Sequence, residues 1–179
     1  MKTRDMAYIS ISAALIALCA WLSVPAAIPF TMQTFAVFAA AGTLGARRGA
    51  AALGLYILLG ALAVFSGFQG GVGALLGATG GYIVGFLPAA AIAGLGAERL
   101  GRGLPALILS MCAGLLVCYA LGTAWYVAVY ARAGEVKSVS AVLAACVVPF
   151  IPADAAKIFL AATLSRRLAP LCAPERRRR

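Results

Sequence analysis

Histidine is absent from this chain. Its absence removes the commonest general base near neutral pH and the commonest neutral metal ligand, so histidine-dependent triads and histidine-ligated metal sites are excluded. Acidic residues are scarce: five aspartates and glutamates stand against 15 lysines and arginines, a net charge of +10. The cysteines Cys19, Cys112, Cys118, Cys146 and Cys172 include no C-x-x-C pair, and the first four lie in apolar runs. They read as small buried hydrophobes, not as a disulfide framework or a zinc site. Phosphate-loop chemistry is missing too. No Gly-Lys-Ser/Thr ending follows the glycines from Gly67 to Gly85, and a dinucleotide fingerprint begun at Gly71 and Gly73 meets Leu76 where a third glycine is required. With no ATPase motif, active transport through this chain would take its energy from a partner's ATP hydrolysis or from an ion gradient.

Apolar side chains dominate what is present. The chain is 64% hydrophobic and 11% charged, with a mean hydropathy of +1.00, whereas soluble domains carry about 25% charged residues. These values define an integral membrane protein. A helical span needs about 20 apolar residues at about 1.5 Å rise each, so the length holds about six spans and no second, soluble domain. The expected architecture is one all-α membrane domain over 1–179, with six transmembrane helices at 7–24, 32–44, 49–65, 80–97, 104–130 and 139–164. The second run is short and needs its flanks, or a locally thin bilayer, to cross. The N-terminus imitates a signal peptide, but the run 7–24 exceeds the apolar core of one, so it is read as a retained first helix.

The cationic residues interrupt the apolar runs in alternation. Placing the N-terminus in the cytoplasm puts Lys2, Arg4, Arg47, Arg48, Arg99, Arg102, Arg166, Arg167 and the tail Arg176 to Arg179 inside, and leaves Arg132 and Lys137 outside. Both termini are therefore expected to be cytoplasmic, as an even number of spans requires. The charge calls for no nucleic acid, and the tail reads as an anchor attracted to anionic membrane lipids. The outer segments 25–34 and 66–82 carry no charge. They are punctuated by proline and glycine yet rich in apolar side chains, and irregular backbone at membrane depth is tolerated only against protein or a cavity, so they are expected to fold back as lids over an outward-facing pocket. Small residues crowd the helices, among them Ala13 and Ala17, Ala36, Ala39, Ala40 and Gly42, and Gly80, Gly81 and Gly85. They allow close helix packing, and the face bearing Ala13 and Ala17 is also a candidate docking surface for another membrane subunit.

Asp154 and Lys157 carry the chemistry. A charge at the centre of a span costs about 2.5–3.5 kcal/mol on insertion scales, and two charges three residues apart share one helix face. They fit a structural salt bridge, an ion relay or a ligand site. The bridge alone is a weak route to stability, a relay ordinarily recruits several acids, and the ligand site is the preferred reading. Pro149 and Pro152 should kink or break the helix just upstream, and broken helices at depth mark binding sites in transporters. Phe30, Phe68, Tyr82, Trp125 and Tyr126 are candidate walls, with Tyr82 foremost because it follows Gly80 and Gly81 directly.

The order of motifs Ile28-Pro-Phe-Thr-Met-Gln-Thr-Phe-Ala-Val, Gly45-Ala-Arg-Arg-Gly-Ala, Leu55-Tyr-Ile-Leu-Leu-Gly, Gly77-Ala-Thr-Gly-Gly-Tyr-Ile-Val-Gly-Phe and Pro149-Phe-Ile-Pro-Ala-Asp-Ala-Ala-Lys resembles the BioY family, the biotin-binding substrate subunits of energy-coupling-factor transporters. The resemblance runs from the first helix to the sixth. It implies a six-helix subunit of the bacterial plasma membrane that binds biotin on its outer side and works with a transmembrane coupling protein and a pair of ABC-type ATPases. The family's biotin site carries over to Asp154 and Lys157. The Thr79, Gly80, Gly81 and Tyr82 segment and the 29–34 loop with Phe30 and Gln33 also match, and the Ala13–Ala17 face matches the helix that meets the coupling protein. Biotin enters as transported ligand, with no cofactor, no metal and no catalytic residue implied. A carboxylate such as Asp154 can accept from the ureido N–H groups of biotin, and Lys157 can donate to the ureido oxygen or hold the distal carboxylate. Two other classes compete: a self-sufficient secondary carrier with Asp154 as coupling acid, and a small membrane enzyme using the pair as acid and base, which the lack of histidine and of other polar residues disfavours.

Overall fold

A computed structural model of the chain describes residues 3–24, 30–62, 71–135 and 137–172. The elements in order are α1 Thr3–Trp21, a strand pair β1 Ser23–Val24 and β2 Phe30–Thr31, α2 Gln33–Leu44, α3 Ala46–Leu62, α4 Gly71–Leu76, α5 Gly80–Arg99, α6 Leu104–Arg132, α7 Val139–Cys146, a 3-10 turn Val148–Phe150, and α8 Ile151–Cys172. Four stretches, Thr3–Trp21, Gly80–Arg99, Leu104–Arg132 and the interrupted Val139–Cys172, are long and apolar enough to cross a membrane.

Packing follows from small residues. Along α5 and α6, Gly81 lies against Trp125, Gly85 against Cys118, Gly114 against Ala89 and Gly96 against Ser110. Rising numbers on one helix meet falling numbers on the other, so the two are antiparallel and their backbones approach wherever a glycine removes a side chain. Helix α2 lies at the centre, with eleven of its 12 residues buried. Ser165 of α8 reaches the backbone of α2, its hydroxyl donating to the Ala39 carbonyl at 3.3 Å. Large side chains such as Ile11, Leu18, Leu58, Leu116, Phe159 and Leu160 point outward, while alanines such as Ala36, Ala41, Ala89, Ala90, Ala161 and Ala162 fill the interior. This arrangement suits a lipid solvent, in which exposing leucine costs nothing and small residues let helices touch.

One end of the bundle is tied by charge. Gly45, at φ 86, is the whole turn between α2 and α3, a backbone conformation that favours glycine. Glu98 accepts the Ala46 N–H at 2.9 Å, and Arg102 donates to the carbonyls of Gly42 and Thr43 at 3.4 and 3.3 Å. The unpaired groups at the facing ends of α2 and α3 thereby find partners on α5 and on the turn after it. Arg48 pairs with Asp5 at 2.9 Å and joins α3 to α1.

Helices α2, α5 and α6 fall within two residues of the expected 32–44, 80–97 and 104–130, and other features differ. Helix α1 stops at Trp21, short of residue 24, because Val24 precedes Pro25 and such a residue is pushed towards extended backbone; Ser23 and Val24 instead pair antiparallel with Thr31 and Phe30. Helix α3 starts at Ala46, three residues before the expected 49, because the capped N–H of Ala46 lets it begin directly after Gly45. The expected single span 139–164 is two helices separated by the 3-10 turn, with α8 continuing to Cys172. Pro149 and Pro152 supply the break, since each lacks the N–H that a continuous helix uses. Part of the second outer segment is helical, as α4. On the Ala13–Ala17 face, Ala13 is 1% exposed and Ala17 is partly buried against the same internal cluster, and α1 turns Ile11, Leu15 and Leu18 outward. Lys2, Pro29, Phe68, the lid residues 25–29 and 66–70, and the tail Arg176 to Arg179 lie outside the described residues.

Candidate functional site

The break before α8 builds the site. Pro152 occupies the first turn of α8, where its missing N–H is no loss, and Asp154 follows in that same turn. A carboxylate there sits in the favourable field of the helix N-terminus. Lys157, one turn on, donates from Nζ to Asp154 Oδ1 at 2.8 Å. From the middle of α6, Tyr119 Oη donates to the other oxygen, Oδ2, at 2.6 Å. Asp154 and Lys157 are 3% and 4% exposed, so their charges are compensated by each other and not by solvent. The Lys157 ammonium also lies 4.0 Å from the centre of the Phe30 ring, which is stacked on Phe150 with centroids 5.9 Å apart. Strand β2 thus brings one aromatic over the cation, an attraction that strengthens when water is excluded, and the 3-10 turn backs it with a second.

These groups line a cavity shared by the starts of α2, α5 and α8 and by the middle of α6. Its polar wall comprises Thr31, Gln33, Thr34, Tyr56, Thr79, Tyr82 and Tyr119 with the Asp154–Lys157 pair, and its apolar wall includes Ile83, Phe86, Leu115 and Phe150. Tyr82 shares a 3.4 Å hydrogen bond with Thr123, and its ring lies flat against Gly122, where any side chain would overlap it. The side-chain amide of Gln33, 5% exposed, leaves its Nε2 without a hydrogen-bond partner among the described residues.

Of the residues singled out in the sequence, the structure brings Asp154, Lys157, Tyr82, Thr79 and Gln33 into the cavity wall, with Phe30 covering Lys157. Gly80 and Gly81 do not line it. They make room, Gly80 against the Leu75 carbonyl and Gly81 against Trp125. Trp125 is not among the lining residues and donates its indole N–H to the Gly77 carbonyl at 3.0 Å, while the Tyr126 ring is tilted by 31° against that of Tyr130 with centroids 4.6 Å apart. Sequence reasoning missed Tyr119, Tyr56 and Phe150. Tyr119 carried a usable signal, a phenol near the middle of a 29-residue apolar helix, far from the interfacial belts where membrane tyrosines concentrate. Among the described residues no group of acidic, cysteine or histidine side chains is placed to hold a metal ion.

The fold and the site define a helical membrane protein that encloses a pocket with one polar and one apolar wall, holding a self-neutralised ion pair, near one end of its helices. Residues 1–173 match the model of the BioY family. The biotin transporter BioY of Thermotoga maritima is 38% identical over 171 residues, covering 94% of this chain and 97% of its own. A probable biotin transporter BioY of Pyrococcus horikoshii is 35% identical over 171 residues, covering 94% and 98%. The crystal structure of an S-component for biotin from an ECF-type ABC transporter superposes with a TM-score of 0.82 over 95% of each chain, at 21% identity, and so shares the fold. This chain belongs to the BioY family.

Proposed function

We propose that the chain is the biotin-binding substrate subunit of an energy-coupling-factor vitamin transporter of the bacterial plasma membrane. On this reading six helical segments cross the bilayer, with α7 and α8 counted as one, both termini are cytoplasmic, and the cavity opens outward under the segments that precede α2 and α5. The charge pattern supports the orientation: Arg48, Glu98 and Arg102 cluster at the end of the bundle opposite the cavity, and the positive-inside rule places that end in the cytoplasm. A transmembrane coupling protein and a pair of ABC-type ATPases supply the energy, since the sequence carries no phosphate loop of its own.

The observation that carries the proposal is the buried Asp154–Lys157–Tyr119 cluster inside a cavity of a chain belonging to this family. A carboxylate has about four acceptor positions. Lys157 and Tyr119 use two of those on Asp154, which leaves it able to accept from the ureido N–H groups of biotin. The apolar wall suits the fused rings. A site made of paired, desolvated hydrogen bonds rejects analogues that leave a buried group unpaired.

The test is equilibrium binding of radiolabelled biotin to the purified protein in detergent, with excess thiamine and riboflavin as competitors. Tight, stoichiometric binding that neither competitor displaces is the expected result, together with strong weakening in Asp154→Asn while the protein stays monodisperse. A folded wild-type sample that does not bind biotin, or an Asp154→Asn variant with wild-type affinity, would overturn the assignment.

A further inference from the structure

We infer that the charged end of the bundle holds a site for the phosphate headgroup of an anionic membrane lipid, seated between the starts of α1 and α3 and gripped by Arg47, Arg48 and Arg102. The site lies at the end of the helices opposite the Asp154–Lys157 cavity, and the inference stands independently of the proposed function.

A cavity of about 480 Å³ opens there. Its charged wall comprises Asp5 of α1, Arg47 and Arg48 of α3, Glu98 of α5 and Arg102 of the turn that follows. Three guanidinium groups against two carboxylates leave one positive charge in excess. Both carboxylates are engaged: Asp5 pairs with Arg48 at 2.9 Å, and Glu98 accepts the Ala46 N–H at 2.9 Å. Arg102 uses two of its donors on the carbonyls of Gly42 and Thr43, and a guanidinium has five. Arg47 has no acidic partner among the described residues. The surplus cation and the spare donors call for an acceptor that the chain does not supply.

Helix α3 itself argues for an anion. The positive end of a helix dipole favours acids and disfavours cations, yet α3 has no acid in its first turn and carries Arg47 and Arg48 there instead. Cations set against the dipole make local sense when both hold one bound anion. A phosphate suits the arrangement, since its oxygens accept several forked guanidinium hydrogen bonds at once.

The rest of the lining favours a lipid as the source of that phosphate. Ile9, Leu44 and Ala51 share the cavity with the arginines. Farther along α1, Ile11, Leu15 and Leu18 face outward, on a helix long and apolar enough to cross a membrane. The cavity therefore sits where the apolar flank of the bundle gives way to charge, the depth of lipid headgroups. A soluble phosphate would use the arginines alone, whereas a lipid also covers the apolar side chains with its glycerol and first methylenes.

The test titrates delipidated protein in neutral detergent with dioleoylphosphatidylglycerol, with dioleoylphosphatidylcholine, whose choline cancels the phosphate charge, and with inorganic phosphate, and follows thermal unfolding. The Tm of the wild type should rise saturably with the anionic lipid and not with the other two. Arg47→Gln, a change at an exposed side chain, should need about tenfold more phosphatidylglycerol for the same rise. Arg166→Gln removes the same charge from α8, outside the cavity, and should respond as the wild type does. Native mass spectrometry at matched lipid concentration should show phosphatidylglycerol retained on the wild type and Arg166→Gln and lost from Arg47→Gln. A response to inorganic phosphate as large as that to the anionic lipid, equal responses to the two lipids, or equal shifts in Arg47→Gln and Arg166→Gln would overturn the inference.

Discussion

Replacing Lys157 with methionine tests whether Asp154 and Lys157 act as one unit. At 2.8 Å, two opposite unit charges attract by about 6 kcal/mol at an effective dielectric of about 20. Both side chains are 5% exposed, so desolvation consumes most of that gain and the pair contributes little net stability over an apolar replacement. Breaking it is a different matter. Lys157→Met strands the Asp154 carboxylate in a dry cavity with Tyr119 as its one remaining side-chain donor among the described residues, and losing one member of a buried pair costs about 3–5 kcal/mol, a fall in Tm on the order of 10 °C for a chain of this size. Asp154→Asn strands the Lys157 ammonium against the Phe30 ring. The double variant Asp154→Asn/Lys157→Met removes both charges, and its asparagine oxygen can still accept from Tyr119, so it should recover most of the stability lost by either single change. Unfolding in detergent can be followed with a thiol-reactive dye, because Cys19, Cys118 and Cys146 are buried in the folded chain. Biotin binding should be lost in all three variants. If the double variant proves as unstable as the sum of the singles, the two charges are not coupled and the reasoning fails.

Tyr119→Phe deletes the 2.6 Å hydrogen bond to Asp154 Oδ2; hydrogen bonds to charged groups are worth about 1.5–3 kcal/mol, so biotin affinity measured by equilibrium binding should fall about tenfold or more. Unchanged affinity would show that Tyr119 merely packs. Gly122→Ala places a methyl group into the Tyr82 ring and should cost about 1–3 kcal/mol through overpacking. Because Tyr82 lines the cavity, the same change should weaken biotin binding, and a destabilised variant with wild-type affinity would remove Tyr82 from the site.

Much of the cavity lining was legible because its residues break the rules of their surroundings. Asp154 and Lys157 are charges in an apolar run, and Pro149 and Pro152 interrupt a helix, so each announces itself without reference to the fold. Tyr82 stood out through the two glycines before it. What could not be read was anything set by contact between distant segments. Tyr119 lies 35 residues from Asp154, and the approach of α8 to α6 brings the phenol to the carboxylate. The Ala13–Ala17 pair shows the converse. Small residues on a membrane helix signal close packing, but periodicity alone does not say whether the neighbour belongs to the same chain; Ala13 packs within this chain, and Ala17 is only partly covered by it. The early start of α3 also depends on a remote group, because the N–H that opens the helix is satisfied by Glu98, 52 residues away.

The geometry of the ion pair also separates a binding subunit from an ion-driven carrier. A coupling acid must gain stabilisation from the arriving proton or sodium ion. Asp154 already has the Lys157 ammonium at 2.8 Å and a phenol at 2.6 Å, so an added cation would have to displace Lys157, whose ammonium would then be buried against the Phe30 ring without its carboxylate. The satisfied pair leaves little for an ion gradient to act on. Release of a ligand held by desolvated hydrogen bonds then requires that the pocket be deformed from outside, which is work for an energised partner. Uptake into vesicles containing the assembled transporter should accordingly require ATP and persist when ionophores collapse the proton and sodium gradients. Biotin accumulation by this chain alone, abolished by those ionophores, would reverse the conclusion and return Asp154 to the role of coupling acid.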